Sequence, residues 1–149
     1  MNDTKNAGKT TATIAAIRDY DNMCLIIANT PDMIKERYED LATPRNTKLD
    51  GMPKTNNPFT LEDIWVEGLE KLDLMQKRYY KAEMFVMWFE PMWLSLSNQE
   101  RMILETYKHS DTRSGSIARL ATELNYSTRQ LSRMRQKALS LLSELLYGH

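Results

Sequence analysis

The sequence predicts an all-α fold, in which long N-terminal helices, arranged as a helical hairpin or a coiled coil, precede a C-terminal helix-turn-helix domain. Apolar residues recur every three or four positions over most of the 149 residues, which is the period of an amphipathic helix. No segment shows the alternation of a β-strand, and the 5 Gly and 5 Pro suit few tight turns. Two capping boxes, Ser97-x-x-Glu100 and Ser127-x-x-Gln130, indicate helix starts in the last third of the chain.

The sequence predicts that residues 1–59 consist of a tail, a helical segment and a loop. Residues 1–10 lack periodic apolar positions and predict a disordered tail, and residues 11–42 have helical spacing. Thr30-Pro31 interrupts this spacing, either as the start of a second helix, because Thr is a good N-cap and Pro a good first residue, or as a kink in one helix. Residues 43–59 predict a loop, the best linker candidate in the chain. Its breaking residues are Pro44, Asp50-Gly51, Pro53 and Pro58.

A long helix is expected over residues 60–94. Glu62 and Asp63 suit its positive N-terminal dipole, and an apolar stripe continues for about thirty residues. Helices of this length usually pair with another helix, in the same chain or in a partner chain, so this helix is also a candidate for a homodimer interface. From Met84 to Trp93 the apolar residues face several directions, which fits either a core at the junction with the C-terminal domain or a homodimer interface. Pro91 is expected to end or kink the helix near Glu90.

Residues 95–149 follow the template of a helix-turn-helix. The helix behind Ser97 is followed by a polar loop from Lys108 to Gly115, a short helix over residues 117–124 and a helix behind Ser127 that runs to about Leu146. A bihelical DNA-reading unit needs a small residue where the second helix crosses the first, a turn residue able to take positive φ four positions later, and apolar residues between the helices. The residues that fill this template are Leu120, Ala121, Leu124, Asn125, Tyr126, Leu131 and Met134.

The opposite face of the second helix is then exposed and rich in groups that bind DNA. Net charge is zero overall, but residues 97–149 have 8 basic and 5 acidic residues, and no acidic residue lies between Asn125 and Ser143. The candidates for contacts to bases are Ser127, Thr128, Arg129, Ser132, Arg133 and Gln136. The candidates for contacts to phosphates are Lys108, Arg113, Arg119, Arg135 and Lys137. The alternative is a helical hairpin whose polar face meets water or another protein.

A resemblance strengthens the first interpretation. Residues 96–107 (LSNQERMILETY) and 117–139 (IARLATELNYSTRQLSRMRQKAL) resemble the promoter-reading C-terminal domain of sigma-70-type factors. They are more similar still to small prophage-encoded late-transcription regulators, which share a Gly-Met-Pro loop, here Gly51-Met52-Pro53. The resemblance covers residues 49–146 and implies sequence-specific binding of double-stranded DNA and control of phage genes. The segment from Lys108 to Ser116 is longer and more polar than the link in that family, and no other region matches a full sigma factor.

Enzyme chemistry is not expected, and neither is a cofactor or a metal. His109 and His149 lie far apart, Cys24 stands in an apolar stretch, and no Cys/His cluster has metal-ligand spacing. The polar N-terminus and single cysteine favour a cytoplasmic protein associated with the host nucleoid, with no membrane partner. Two further functions remain open: a DNA-recognition protein in phage packaging or assembly, and a module that binds a host protein such as RNA polymerase.

Overall fold

Five helices form the part of the chain that the computed structural model describes, residues 2–43, 61–108 and 113–148. They are α1 (Asn2–Ala42), α2 (Leu61–Leu94), α3 (Asn98–Lys108), α4 (Arg113–Leu124) and α5 (Thr128–Tyr147). No strand occurs in these ranges, so the predicted all-α class is confirmed. The chain divides into two compact units, a terminal unit of residues 1–23 and 84–149 and a middle unit of residues 24–83.

Helix α1 starts earlier than the sequence suggests. It begins at Asn2, so the expected disordered tail over residues 1–10 is wrong for the described residues. Tertiary contacts hold this end: the Lys9 ammonium donates a hydrogen bond to the Gly148 carbonyl at 2.9 Å, and Thr13, Ala16 and Ile17 are buried within the terminal unit. Local periodicity could not reveal these contacts because their partners lie more than seventy residues away in the sequence.

Two prolines lie inside helices. α1 continues through Pro31, which selects the single helix over two separate ones. α2 runs through Pro91 to Leu94, so the helix does not end near Glu90 and its last residue is that of the predicted range 60–94. The alternative, a kink at Pro91, stays a prediction. The helix then ends where the Ser95 amide donates to the Pro91 carbonyl at 3.2 Å and its hydroxyl to the Met92 carbonyl at 2.6 Å. The loop expected over residues 43–59 lies outside the described residues except for Thr43.

The terminal unit has a core built from four helices. Its larger cluster joins side chains of α1, α2, α3 and α5 with Leu96, which follows α2. Phe89 and Leu142 are fully buried at its centre, and Phe89 stacks on Trp93 with ring centroids 5.7 Å apart. The buried members of this cluster are Ala16, Ile17, Phe89, Trp93, Leu96, Leu104, Ala138, Leu139, Leu142 and Leu146.

The apolar segment from Met84 to Trp93 is therefore partly a core within one chain. Phe89 and Trp93 are buried in the cluster just described, with Phe85 and Met92 packed against it. The others face outward: Met84 and Met87 are exposed, and Trp88 contacts Tyr147 of α5 edge to face at 5.4 Å. Burial raises the pKa of the Tyr147 hydroxyl. Four of these side chains therefore fit the alternative of a core at the junction with the C-terminal domain: Phe85, Phe89, Met92 and Trp93.

The middle unit combines the second half of α1 with the first two thirds of α2. Its inner side brings Leu41 against Gly68, where an added Cβ would lie 2.7 Å from Leu41 Cδ2, so the missing side chain permits the close approach. Leu72 and Ala82 are its buried apolar residues among those described. Across the described residues, no helix is long and apolar enough to span a membrane.

Candidate nucleic-acid interface

The end of α4 and the turn behind it have the geometry of a tight helix-to-helix connection. Asn125 has φ of 57°, the left-handed conformation that Asn tolerates better than most residues. The Tyr126 amide donates to the Ala121 carbonyl at 3.0 Å, and the Asn125 amide to the Thr122 carbonyl at 3.4 Å. These two bonds form a Schellman motif, which satisfies the last carbonyls of α4 and fixes the direction of the chain.

Helix α5 starts two residues later at a complete capping box. The Gln130 amide donates to Ser127 Oγ at 3.1 Å, and the Ser127 amide donates to Gln130 Oε1 at 2.9 Å. The same arrangement starts α3, where Ser97 and Glu100 exchange bonds of 3.2 and 3.3 Å. The N-terminal end of α5 is therefore held at a defined position, with its positive dipole end unobstructed by an acidic side chain in the first turn.

A second apolar cluster fixes α5 against α4 and α3. Its buried residues are Ile103 of α3, Leu120 and Ala121 of α4, and Leu131 of α5. Ile103 and Leu131 are fully buried, and Ala121 is 8% exposed, which shows how little space the crossing leaves for its side chain. The partly buried residues that pack against them are Tyr107, Ile117, Leu124, Tyr126 and Met134. Leu104 beside Ile103 enters the larger cluster, so α3 joins the two cores.

Because this packing fixes the inner side of α5, the side chains on its other side share one exposed surface. All six candidates for contacts to bases are exposed there. They lie on the first three turns, and we call this surface the α5 polar face: Ser127, Thr128, Arg129, Ser132, Arg133 and Gln136. Each can donate or accept a hydrogen bond at a base edge, and Arg offers a bidentate fork for guanine.

The candidates for contacts to phosphates do not share one environment. Arg119 and Lys137 are exposed on α4 and α5. Arg113 is the first residue of α4, and its side chain lies outside the described part. Lys108 forms an ion pair with Asp21 of α1 and its side chain is 11% exposed. Arg135 lies with its guanidinium carbon 4.9 Å from the centroid of the Tyr107 ring.

The contacts of Lys108 and Arg135 link α1, α3 and α5. Both side chains line a half-open cavity of about 200 Å³, together with Arg18 of α1. A cation over an aromatic ring contributes about 0.5–1 kcal/mol at an exposed site. These two residues therefore have partners within the chain, whereas Arg119 and Lys137 have their charged groups in solvent. Sequence reasoning had no signal for the Asp21 pair, because Asp21 precedes Lys108 by 87 residues.

The charge of α5 changes along the helix, from basic in its N-terminal half to acidic at Glu144. An open groove of about 500 Å³ runs beside Arg133, Gln136 and Lys137 and continues past Ser140 and Leu141 to Glu144. Four basic residues and no acidic ones lie on α5 before Glu144. Since a carboxylate repels phosphate, the part of α5 suited to a nucleic acid is its N-terminal half.

The described residues contain no group of three or more His, Cys, Asp or Glu side chains able to hold a metal ion. Cys24 is half-buried and makes no disulfide. No protein-family model matches the chain, and no curated protein or solved structure matches it significantly.

Proposed function

We propose that α4, the turn at Asn125 and α5 form a helix-turn-helix that reads double-stranded DNA, with α5 as the recognition helix. The observation that carries this proposal is the α5 polar face: six exposed hydrogen-bonding side chains between the N-cap Ser127 and Gln136, on a helix whose other side packs against α3 and α4. A recognition helix presents its N-terminal residues to base edges in the major groove in this manner.

Charge supports a polyanionic partner for this face. Arg129 and Arg133 are exposed on it, and Arg119 and Lys137 flank it with solvent-exposed side chains. The first pair would read bases and the second would bind phosphates, which position the protein without specifying sequence. Lys108 and Arg135 have a different role in this proposal: they hold α1, α3 and α5 together through Asp21 and Tyr107.

The resemblance to sigma-70-type promoter-reading domains and phage late-transcription regulators extends the proposal from DNA binding to transcription. On that basis the chain is a regulator of phage genes that acts at the host nucleoid, without enzymatic activity of its own. The alternatives are a phage packaging protein, which also recognises DNA, and a module that binds RNA polymerase. The experiment below separates the two DNA-binding functions from the protein-binding one. We also propose a homodimer through α2 and the exposed residues of the Met84–Trp93 segment. Phe89 and Trp93 take no part in it, because they are buried within the chain.

The test is selection of bound sequences from a library of random duplexes, with the wild-type protein and with Arg129→Ala and Arg133→Ala. We expect the wild type to enrich one motif and each variant to lose preference at one or two positions of it, because each arginine reads a separate base. Arg37→Ala is the matched control, since Arg37 is exposed on α1 in the middle unit and should leave the motif unchanged.

An unenriched library after several rounds would contradict sequence-specific reading. Retention of duplex without enrichment would indicate nonspecific binding of DNA. If no duplex is retained, the α5 polar face contacts a protein instead, and RNA polymerase is the partner to examine next. An enriched motif that neither arginine variant alters would keep DNA binding but reject the assignment of these side chains to the major groove.

A further inference from the structure

Several large apolar side chains of α2 are exposed in the described part of the middle unit. Four of them, Trp65, Val66, Leu69 and Tyr80, share one side of the helix by its periodicity and are between 44% and 65% exposed. The inner row of the same helix, which includes Gly68 and Leu72, is less exposed. We call the four exposed side chains and the charged residues between and beside them the α2 outer face. Exposed clusters of large apolar residues on a helix mark protein contacts.

Charge is divided along this face in a way that selects its partner. Helical periodicity places Glu67, Lys71 and Arg78 on another side of α2. The charged residues on or beside the outer face are acidic toward the N-terminal end, with Asp73 near the middle, and basic toward the C-terminal end: Glu62, Asp63, Glu70, Asp73, Lys77 and Lys81. Two exposed ion pairs within the helix, Glu67 with Lys71 at 3.1 Å and Asp73 with Lys77 at 2.9 Å, contribute only about 0.3–0.5 kcal/mol each. The helix dipole accounts for Glu62 and Asp63 in the first turn, but neither the dipole nor these ion pairs accounts for Glu70 or for the basic residues of the C-terminal half.

A second copy of the same helix complements this pattern in one orientation only. Parallel pairing would place acid against acid and base against base, which is unfavourable. Antiparallel pairing places the acidic half of one copy against the basic half of the other. It also satisfies a twofold axis, the symmetry of most homodimers, in which both copies use the same surface.

We propose that the α2 outer face binds a second copy of this chain in antiparallel orientation, about a twofold axis near Asp73. The Asp73 residues of the two copies approach each other at this axis, each paired with Lys77 of its own helix. This register places Glu70 of one copy beside Lys77 of the partner subunit. It also places Tyr80 between Val66 and Leu69 of the partner subunit, so that the exposed apolar residues cover one another. The inference is independent of the proposed DNA binding, because none of these residues lies in the terminal unit.

The test is the molar mass of the full chain by sedimentation velocity over a range of concentrations at low salt. We expect a reversible monomer–dimer equilibrium in the wild type. Glu62→Lys with Glu70→Lys, and separately Lys77→Glu with Lys81→Glu, should each weaken dimerisation about tenfold or more, because like charges then face each other. An equal mixture of the two double variants should form a heterodimer with at least the affinity of the wild type.

Recovery in the mixture separates antiparallel pairing from a general effect of charge. The matched control is Glu36→Lys with Glu39→Lys, which makes the same charge change at exposed positions of α1 and should leave the dimer unaffected. Val66→Gln with Leu69→Gln should abolish the dimer while the far-ultraviolet circular dichroism stays helical. A wild type that is monomeric at every concentration, as expected if another segment or protein covers this face, would overturn the proposal. So would two charge variants that do not associate when mixed.

Discussion

The terminal and middle units differ in how completely each buries its apolar side chains. In the terminal unit Phe89, Ile103, Leu131 and Leu142 are fully buried, and two clusters together connect segments of all five helices. In the middle unit, large apolar side chains such as Leu69 remain about half exposed. The difference follows from the number of neighbouring helices, because a helix with several neighbours can bury apolar residues on more than one side, whereas a helix with one neighbour buries one side.

This contrast assigns separate roles to the two units. The terminal unit has the internal packing needed to hold the α5 polar face in a fixed geometry, as a reader of DNA requires. The described part of the middle unit leaves the large apolar side chains of the α2 outer face exposed, and we propose that a second copy covers them. Stability should therefore depend mainly on residues of the terminal unit, and self-association mainly on residues of the middle unit.

The largest expected effect comes from truncating a core leucine in one unit and an exposed leucine in the other. Leu142→Ala removes a fully buried side chain and should lower the free energy of unfolding by about 2–5 kcal/mol. Leu69→Ala, studied at concentrations where the chain is monomeric, should change it by only about 0.5 kcal/mol or less. Urea denaturation measures both. Equal losses would contradict the difference between the units.

Overpacking should be costly at the crossing of α4 and α5 and harmless on the middle unit. Ala121→Leu inserts three carbon atoms where α5 crosses α4 and should destabilise the protein by about 1–3 kcal/mol. Ala28→Leu, at an exposed position of α1, is the control and should leave the melting temperature close to that of the wild type. A wild-type melting curve for Ala121→Leu would reject the close crossing.

Loss of an arginine from the α5 polar face should affect binding and not folding. Arg129→Ala or Arg133→Ala should remove about 1–3 kcal/mol of specific binding to the selected duplex. Their melting temperatures should match the wild type, because both side chains are exposed. Fluorescence anisotropy with the selected duplex and with a scrambled one measures the specific part. A loss that is equal for the two duplexes would assign these arginines to phosphates instead of bases.

The smallest expected effect is the loss of the cap at the start of α5. Ser127→Ala removes the hydroxyl that accepts from the Gln130 amide and should cost about 1 kcal/mol of stability. Ser140→Ala, at an exposed position further along α5, should be close to neutral. Chemical denaturation resolves a difference of this size. If both variants were neutral, the capping box would not contribute to the position of α5.

Local signals in the sequence were sufficient for most of the terminal unit, but the predicted loop from Lys108 to Gly115 is wrong in its second half, because α4 begins at Arg113 and not at residue 117. The capping boxes at Ser97 and Ser127 mark the starts of α3 and α5, and the positive φ of Asn125 is the conformation that its place in the template required. The start of α1 was not predictable, because the contacts of Lys9 and Ala16 join the two ends of the chain. The continuation of α2 beyond Glu90 depends on the burial of Trp93, which outweighs the local effect of Pro91.

The candidate site also has one part that the sequence predicts and one part that it does not. Periodicity was enough to place the six residues of the α5 polar face on the exposed side, because the apolar positions of α5 determine which side is packed. It could not separate Lys108 and Arg135 from the exposed cations, because their partners, Asp21 and Tyr107, lie on other helices. Basic charge in a helical sequence therefore predicts the sign of a surface better than the role of each side chain.

The most direct test of the central claim is the affinity of the full chain for duplex DNA at two salt concentrations. If α5 is a recognition helix flanked by phosphate contacts, binding should be tight at about 50 mM salt and should weaken steeply by about 200 mM, because each phosphate contact releases counterions. Absence of binding at the lower salt concentration would contradict the account and leave α4 and α5 as a fold that contacts protein.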